Sequence, residues 1–181
     1  MFEAILIAGF GGQGVLSTGQ LLAYAGMVEG RHVAWIPSYG PEMRGGTANC
    51  GVTISGRPIS SPVVSEPTVL IAMNRPSLEK FEVNVVKGGI IFVNSSLIDI
   101  KAARSDLRVF YVPANDMAEK LGSGKVANNI ILGALIELTG VVTPRAVEKS
   151  LLDVLPAHHH KMIPLNLKAL EAGAELVRNG K

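Results

Sequence analysis

Two glycine-rich segments carry the residues of this sequence that are best suited to chemistry. Residues 9–14 follow an apolar run at 2–8 and read Gly-Phe-Gly-Gly-Gln-Gly. Residues 37–46 come roughly two dozen positions later and read Pro-Ser-Tyr-Gly-Pro-Glu-Met-Arg-Gly-Gly. The first spacing allows the backbone to approach a phosphate closely, and arginine can hold a phosphate or carboxylate through two hydrogen bonds. Together the segments predict a site for an anionic ligand or a partner chain.

The first segment also fits the pattern of dinucleotide-binding proteins. Gly9, Gly11 and Gly14 have the required spacing, with a predicted strand before them and a helix after them. A dinucleotide site needs an acidic residue for the ribose at the end of the second strand. That position falls near Ser38 and Tyr39, which are not acidic. A second alternative is that the glycines only let the strand and helix pack closely.

The second segment supplies fixed charge on a backbone shaped by proline and glycine. Arg44 is the predicted cationic contact, and Glu42 is placed to orient it. The alternative is a solvated loop with an internal ion pair, worth less than about 1 kcal/mol. Pro37 and Pro41 favour a defined loop shape. We expect this loop to lie beside the first, because consecutive parallel strands often neighbour each other and both loops leave carboxyl ends.

The spacing of the early strands predicts a mixed sheet. Only about nine residues separate the strand at 32–37 from the strand at 47–55, and a parallel crossover needs a dozen or more. The second of these strands is therefore predicted to be antiparallel and, from its alternation, half exposed. A hairpin towards 58–60 is expected after it. In the helix predicted at 13–29, Gly19 and Gly26 indicate close packing on the sheet.

The rest of the sequence alternates strands and helices and then becomes helical. A single α/β domain over residues 1–181 is expected, Rossmann-like and three-layered, with a mixed, mainly parallel sheet and a helical C-terminal third. The helix at 125–139 is apolar nearly all round, so we expect it to be buried on both sides. Strands are predicted at 69–73, 89–94 and 108–112, and helices at 76–81, 97–104, 116–121, 125–139, 144–156 and 163–178.

Composition excludes several functions. The net charge is only +2, which argues against nucleic acid and anionic membranes. We expect no membrane span and no signal peptide, and the sequence is typical of a cytoplasmic protein. Cys50 is the single cysteine, so an internal disulfide or iron–sulfur cluster is impossible; we expect it to be a small buried hydrophobe. The consecutive histidines at 158–160 do not converge on one metal ion and predict a polar loop.

Charged residues make up 18% of the chain, against about 25% in ordinary soluble domains. This low share indicates either a deep fold or a surface partly covered by partners.

The sequence resembles the gamma subunit of 2-oxoacid:ferredoxin (acceptor) oxidoreductases. The likeness covers essentially the whole chain, and the wording of the second glycine-rich segment is its most specific part. That wording is more similar to the 2-oxoglutarate or branched-chain type than to the pyruvate type. The matching stretches are residues 9–15, 37–49, 69–74, 128–129 and 132–134.

The resemblance implies a non-autonomous subunit of an enzyme that oxidatively decarboxylates a 2-oxoacid, with 2-oxoglutarate preferred, to an acyl-CoA. Thiamine diphosphate, Mg²⁺ and iron–sulfur clusters would sit on alpha, beta and ferredoxin-like partner subunits, and an external ferredoxin would accept the electrons. No cofactor would be bound by this chain alone, and coenzyme A would occupy a shared site. The residues implied at that site are Gly9, Gly11, Gly12, Gln13, Gly14, Ser38, Tyr39, Glu42, Arg44 and Asn128.

Two other functions remain open at this point. One is a free-standing dinucleotide-binding reductase, and the other is a purely structural subunit without ligand contacts. A catalytic residue within this chain is not predicted.

Overall fold

The computed structural model describes residues 1–39 and 46–180, with only the backbone described at Tyr39. Glu42 and Arg44 therefore lie outside the described residues. Within the described segments, no helix combines the length and the apolar character needed to cross a membrane.

A six-stranded mixed sheet organises the described part of the chain. Its order is β2-β3-β1-β4-β5-β6, and β1, β4, β5 and β6 run parallel. β3 is antiparallel to both of its neighbours. The strands are β1 (Phe2–Phe10), β2 (His32–Tyr39), β3 (Thr47–Ser55), β4 (Val69–Ala72), β5 (Ile90–Asn94) and β6 (Arg108–Val112).

The antiparallel direction of β3 confirms the prediction made from its short connection to β2. The expectation that β1 and β2 would be neighbours is wrong, because β3 lies between them. β2 and β1 still point the same way, since each is antiparallel to β3. Their carboxyl ends therefore share one edge of the sheet.

Helices cover both faces of the sheet unequally, which confirms the three-layer α/β prediction. One face packs against a large helical layer, with α1, α4 and α5 among its members, and the other against α2 and the segment after β5. Residues 129–136 of α4 are all buried, as its apolar sequence predicts. The helices are α1 (Val15–Val28), α2 (Arg75–Phe81), α3 (Ala114–Lys120), α4 (Ala127–Thr139), α5 (Pro144–Val154) and α6 (Ile163–Asn179).

Small residues allow two close approaches in the helical layer. A Cβ atom at Gly26 in α1 would lie 2.8 Å from Val33 Cγ2, and one at Gly19 would overlap the Cys50 sulfur. This confirms the close packing of α1 on the sheet. Where α4 crosses α6, Cβ atoms at Gly133 and Gly173 would overlap backbone carbonyl groups of the opposite helix. The backbones of α4 and α6 therefore touch at these two glycines.

Two sequence predictions on the other face of the sheet are wrong. Residues 97–104 do not form a helix, because tertiary contacts there replace helical hydrogen bonds. The Arg104 N–H donates to Glu82 Oε1 at 2.6 Å, and Ile98 packs in the apolar cluster under the sheet. Residues 58–60 form no strand either. The chain instead crosses β3, placing Val64 Cγ2 3.0 Å from the position of a Cβ at Gly51.

That crossing segment also changes the exposure of β3. The strand is half exposed only at its start, whereas its last six residues are all buried. Thr53, on the face that the sequence pattern leaves to solvent, is 2% exposed. The alternation is real, but residues distant in the sequence cover the polar face.

Candidate functional site

The two glycine-rich segments meet at the carboxyl edge of the sheet. β1 and β3 stay paired up to Phe10 and Thr47. The next residue on each side continues the contact, as the Gly11 N–H donates to the Gly46 carbonyl oxygen at 2.9 Å. The described end of the second segment is thus joined to the first loop by a backbone hydrogen bond. The insertion of β3 brings the segments together instead of separating them.

A cleft of about 320 Å³ opens beside this junction. One wall is the first loop and the start of α1, and the other is the beginning of β3. The first N–H groups of a helix lack intrahelical acceptors and carry partial positive charge. The cleft therefore suits an anionic group. It is lined by Phe10, Gly11, Gly12, Gly14, Val15, Leu16, Ser17, Gly46, Thr47 and Ala48.

Two of the loop glycines have backbone conformations that other residues rarely adopt. The φ angles of Gly12 and Gly14 are 93° and 76°. Space around Gly12 is open, but a Cβ at Gly14 would lie 2.7 Å from Asn128 Cγ. Gly14 is therefore required both for its conformation and for its contact with α4.

Gln13 braces the loop from within. Its Oε1 accepts a hydrogen bond from the Phe10 N–H at 2.6 Å, and its Nε2 donates to the Met73 carbonyl at 3.1 Å. The side chain thus ties the loop to the residue that follows β4. This structural work was not foreseen from the sequence, which singles out Gln13 as a ligand contact.

Asn128 is brought to the loop from the far half of the sequence. Its Nδ2 donates to Thr18 Oγ1 at 2.9 Å, and that hydroxyl donates to the Gly14 carbonyl at 2.8 Å. The sequence names Asn128 as a candidate site residue, and the structure places it beside the glycine loop. The contacts described here make it a support for Gly14.

Gly9 has a different role from the other loop glycines. It is buried within β1, and a Cβ there would lie 2.6 Å from Gln13 Oε1 and 2.7 Å from Met73 Cβ. It does not line the cleft. The packing explanation therefore applies to Gly9, while Gly11, Gly12 and Gly14 border the cleft.

The residues of the second segment are less fully placed. Ser38 is exposed and pairs with Asn49 of β3, and the Tyr39 backbone pairs with Ala48 of the same strand. Both lie one strand away from the first loop. The end of β2 offers no ribose-binding acid in the described residues, and Glu29, the nearest acid before β2, accepts a hydrogen bond from the Thr143 N–H at 2.7 Å.

A second, smaller opening lies on the other side of the first loop and was missed by sequence reasoning. This crevice of about 110 Å³ is lined by Gly12, Gln13, Met73, Asn115, Gly124, Lys125, Ala127 and Asn128. Residues 122–125 lack the spacing of a phosphate-binding loop, so nothing local marks Lys125. The available signal is its position three residues before Asn128, which the sequence already assigns to the site.

Cys50 lies beneath the start of α1 and is fully buried, as the sequence predicts. Burial raises the pKa of its thiol from 9.0 to about 11, while a hydrogen bond with Trp35 works in the other direction. Its Sγ donates to the Val15 carbonyl at 3.4 Å. The thiol is therefore protonated near neutral pH and is not activated as a nucleophile.

The histidines at 158–160 lie in a short 3₁₀ helix, Ala157–Met162, between α5 and α6. His160 Nε2 is hydrogen-bonded to the Leu155 carbonyl at 2.8 Å. Among the residues that the structure describes, no cluster of three or more His, Cys, Asp or Glu side chains could hold a metal ion. The described residues at the carboxyl edge of the sheet thus offer backbone N–H groups, hydroxyls, amides and a lysine for binding.

Sequence comparison matches residues 4–176 to the family described as pyruvate ferredoxin/flavodoxin oxidoreductase. The ketoisovalerate oxidoreductase subunit VorA of Methanothermobacter marburgensis is 45% identical over 96% of this chain, which spans 36% of that relative. The 2-oxoglutarate synthase subunit KorC of Methanothermobacter thermautotrophicus is 37% identical, with coverage of 98% and 96%. The chain thus spans about a third of one relative and nearly all of the other.

Two solved structures share the fold. The gamma subunit of a keto/oxoacid ferredoxin oxidoreductase from Geobacter sulfurreducens superposes with a TM-score of 0.83 at 30% identity, covering 98% of this chain and 99% of that one. The 2-oxoglutarate:ferredoxin oxidoreductase of Magnetococcus marinus gives a TM-score of 0.89 at 23% identity, covering 98% and 31%. The family match over nearly the whole sequence and the likeness to relatives of the same length lead to one conclusion: this chain belongs to the pyruvate ferredoxin/flavodoxin oxidoreductase family.

Proposed function

We propose that this chain is the gamma-type subunit of a 2-oxoacid:ferredoxin oxidoreductase, which oxidatively decarboxylates a 2-oxoacid to an acyl-CoA. The KorC relative and the Geobacter gamma subunit support this assignment, because each matches the chain over nearly its full length. Such a subunit acts within a complex and has no complete active site of its own.

In this proposal the carboxyl edge of the sheet contacts coenzyme A. The observation that carries it is the Gly11–Gly46 hydrogen bond, which makes one surface from two glycine-rich segments and leaves a cleft beside it. Phosphate groups suit the unpaired N–H groups at the start of α1. Arg44 supplies the main cationic contact and Glu42 orients it. The Magnetococcus enzyme shares the fold and has coenzyme A bound. Because its identity to this chain is only 23%, that likeness concerns the fold. The proposed contact with coenzyme A therefore depends on the geometry of the carboxyl edge of the sheet.

The other cofactors belong to partner subunits. One cysteine cannot hold an iron–sulfur cluster. Thiamine diphosphate and Mg²⁺ are accordingly assigned to alpha and beta subunits, and the clusters to a ferredoxin-like subunit. An external ferredoxin takes the electrons. This chain supplies part of the wall at which coenzyme A meets those subunits.

Two substrates are candidates. The residue pattern of the second glycine-rich segment favours 2-oxoglutarate, which is also named for the KorC relative. Ketoisovalerate is the second candidate, because the VorA relative is 45% identical, against 37% for KorC. Substrate contacts on other subunits can decide between the two.

The first test is co-purification of the native complex, followed by 2-oxoacid-dependent reduction of a viologen dye with each substrate. A complex that contains thiamine and iron–sulfur clusters and prefers one of the two 2-oxoacids supports the assignment. Purification of the chain alone with full activity would overturn it. Binding of a nicotinamide or flavin would instead favour a free-standing reductase.

The second test concerns the edge itself. Arg44→Ala in the reconstituted complex is expected to raise the KM for coenzyme A with assembly unchanged. Arg57→Ala is the matched control, because Arg57 is exposed and follows β3 at the opposite end of that strand. An unchanged KM with normal assembly and rate refutes the role of Arg44. Mutants that alter assembly but leave coenzyme A kinetics unchanged would indicate a purely structural subunit.

A further inference from the structure

We propose that the crevice beside the first glycine loop is a second anion subsite, in which Lys125 holds a phosphoryl group of the ligand bound at the neighbouring cleft. The inference rests on the proposed function and extends it to the opposite side of Gly12. It assigns a role to Lys125 and Asn115.

The crevice and the cleft share the loop that separates them. Gly12 and Gly14 line the cleft, while Gly12, Gln13 and Asn128 line the crevice. At about 110 Å³ the crevice has room for one small group, whereas the cleft holds about 320 Å³. The two sizes suit a ligand whose body lies in the cleft and whose anionic group reaches over the loop.

Internal hydrogen bonds bias the crevice towards hydrogen-bond donors. Asn115 Oδ1 accepts from Asn94 Nδ2 at 2.8 Å, and Asn94 is fully buried. Gln13 Oε1 is likewise used by the Phe10 N–H. Each amide oxygen thus has a partner within the protein, and the Asn115 NH₂ group and the second Gln13 N–H remain as donors. A group rich in acceptors, such as a phosphate, matches this lining.

Lys125 supplies the positive charge. It is exposed, lines the crevice and lies in the short 3₁₀ turn Gly124–Val126 that leads into α4. Within the described segments no carboxylate forms a salt bridge with it, although Glu119 Oε1 approaches Gly124 closely from α3. That carboxylate weakens the local positive potential. Removing the Glu119 charge should therefore have the opposite effect on anion binding from removing the Lys125 charge. A lysine is well suited here because its ammonium group holds phosphate as a point charge.

The test uses the reconstituted complex with coenzyme A and 3′-dephospho-coenzyme A as probes. Lys125→Ala is expected to raise the KM for coenzyme A about tenfold while kcat stays within twofold. Lys125→Arg should restore most of the affinity, and Glu119→Gln should lower the KM. Lys149→Ala, which removes another exposed charge, on α5, is the matched control and should have no effect.

The second probe identifies the phosphate. If Lys125 holds the 3′-phosphate, Lys125→Ala leaves the KM for the dephosphorylated compound unchanged; if it holds the pyrophosphate, the KM rises for both compounds. An unchanged KM for both overturns the crevice proposal. When Arg44→Ala still raises the KM in that case, the proposed function stands and only the second subsite fails. A wild-type complex that does not use coenzyme A refutes both.

Discussion

Replacing Gly133 by alanine tests how closely α4 and α6 must approach. A Cβ there would lie 2.7 Å from the carbonyl carbon of Leu170 and 2.8 Å from its Cα, besides overlapping the carbonyl oxygen. Ordinary carbon contacts are about 3.5–4.0 Å, and the obstacle is backbone, which cannot rotate away. Alanine would gain about 1 kcal/mol of helix propensity, but overpacking costs about 1–3 kcal/mol or more. We expect a net loss, up to about 3 kcal/mol.

The assay is urea and thermal unfolding of the purified chain. For a chain of this length the melting temperature should fall by about 2–4 °C for each kcal/mol lost. Gly56→Ala is the control: a Cβ there meets only the Met1 carbonyl oxygen at 3.9 Å, so that variant should be neutral or slightly stabilised.

The same crossing offers a further check on additivity. Gly173→Ala forces the same two helices apart, so the double variant should lose less stability than the sum of the single losses. A Gly133→Ala protein as stable as the wild type would refute the close backbone contact.

Three further predictions follow from single contacts in the described residues. Gln13→Ala removes both braces of the first loop and should speed hydrogen exchange of the Phe10 amide and cost about 1–2 kcal/mol, whereas Gln20→Ala should not alter that exchange. Thr143 caps α5 by accepting from the Ala146 N–H, so Thr143→Ala should cost about 1 kcal/mol in urea unfolding and Thr143→Ser much less. Burial raises the Cys50 pKa to about 11, so the unfolded state loses this proton at lower pH than the folded state. Stability relative to Cys50→Ala should therefore be constant below about pH 8 and fall between pH 9 and 11, by on the order of 2–3 kcal/mol; a flat difference across that range would contradict the buried neutral thiol.

Local sequence signals predict the strands and helices of this fold better than they predict which strands are neighbours in the sheet. The short connection between β2 and β3 is enough to predict the antiparallel direction, because chain length limits how a crossover can be made. The spacing does not reveal that β3 inserts beside β1, since that choice depends on pairing between distant residues. The segment at 97–104 shows the same limit, because the contact of Arg104 with Glu82 overrides its helical pattern.

The candidate site divides in the same way. The positions of Gly12 and Gly14 in the loop are predictable, because the spacing of the glycines indicates a tight backbone turn. The structure gives both residues a positive φ. The bracing of the loop by Gln13 is not predictable, because its partner Met73 is 60 residues away in the sequence. Lys125 carries no local motif at all. Apart from its position three residues before Asn128, it becomes a candidate site residue because the fold places it opposite Gly12.

The bond between Asn128 and Thr18 also bears on when this site forms during synthesis. The two residues are 110 positions apart, so the glycine loop leaves the ribosome long before its support exists. At about 5–20 residues per second the delay is on the order of ten seconds. During that interval the nascent chain has its loop but neither the α4 buttress nor the lysine before it. A loop that emerges before α4 is thus completed only after α4 has been made, and under the proposed function a nascent fragment that stops before α4 should be unable to hold coenzyme A.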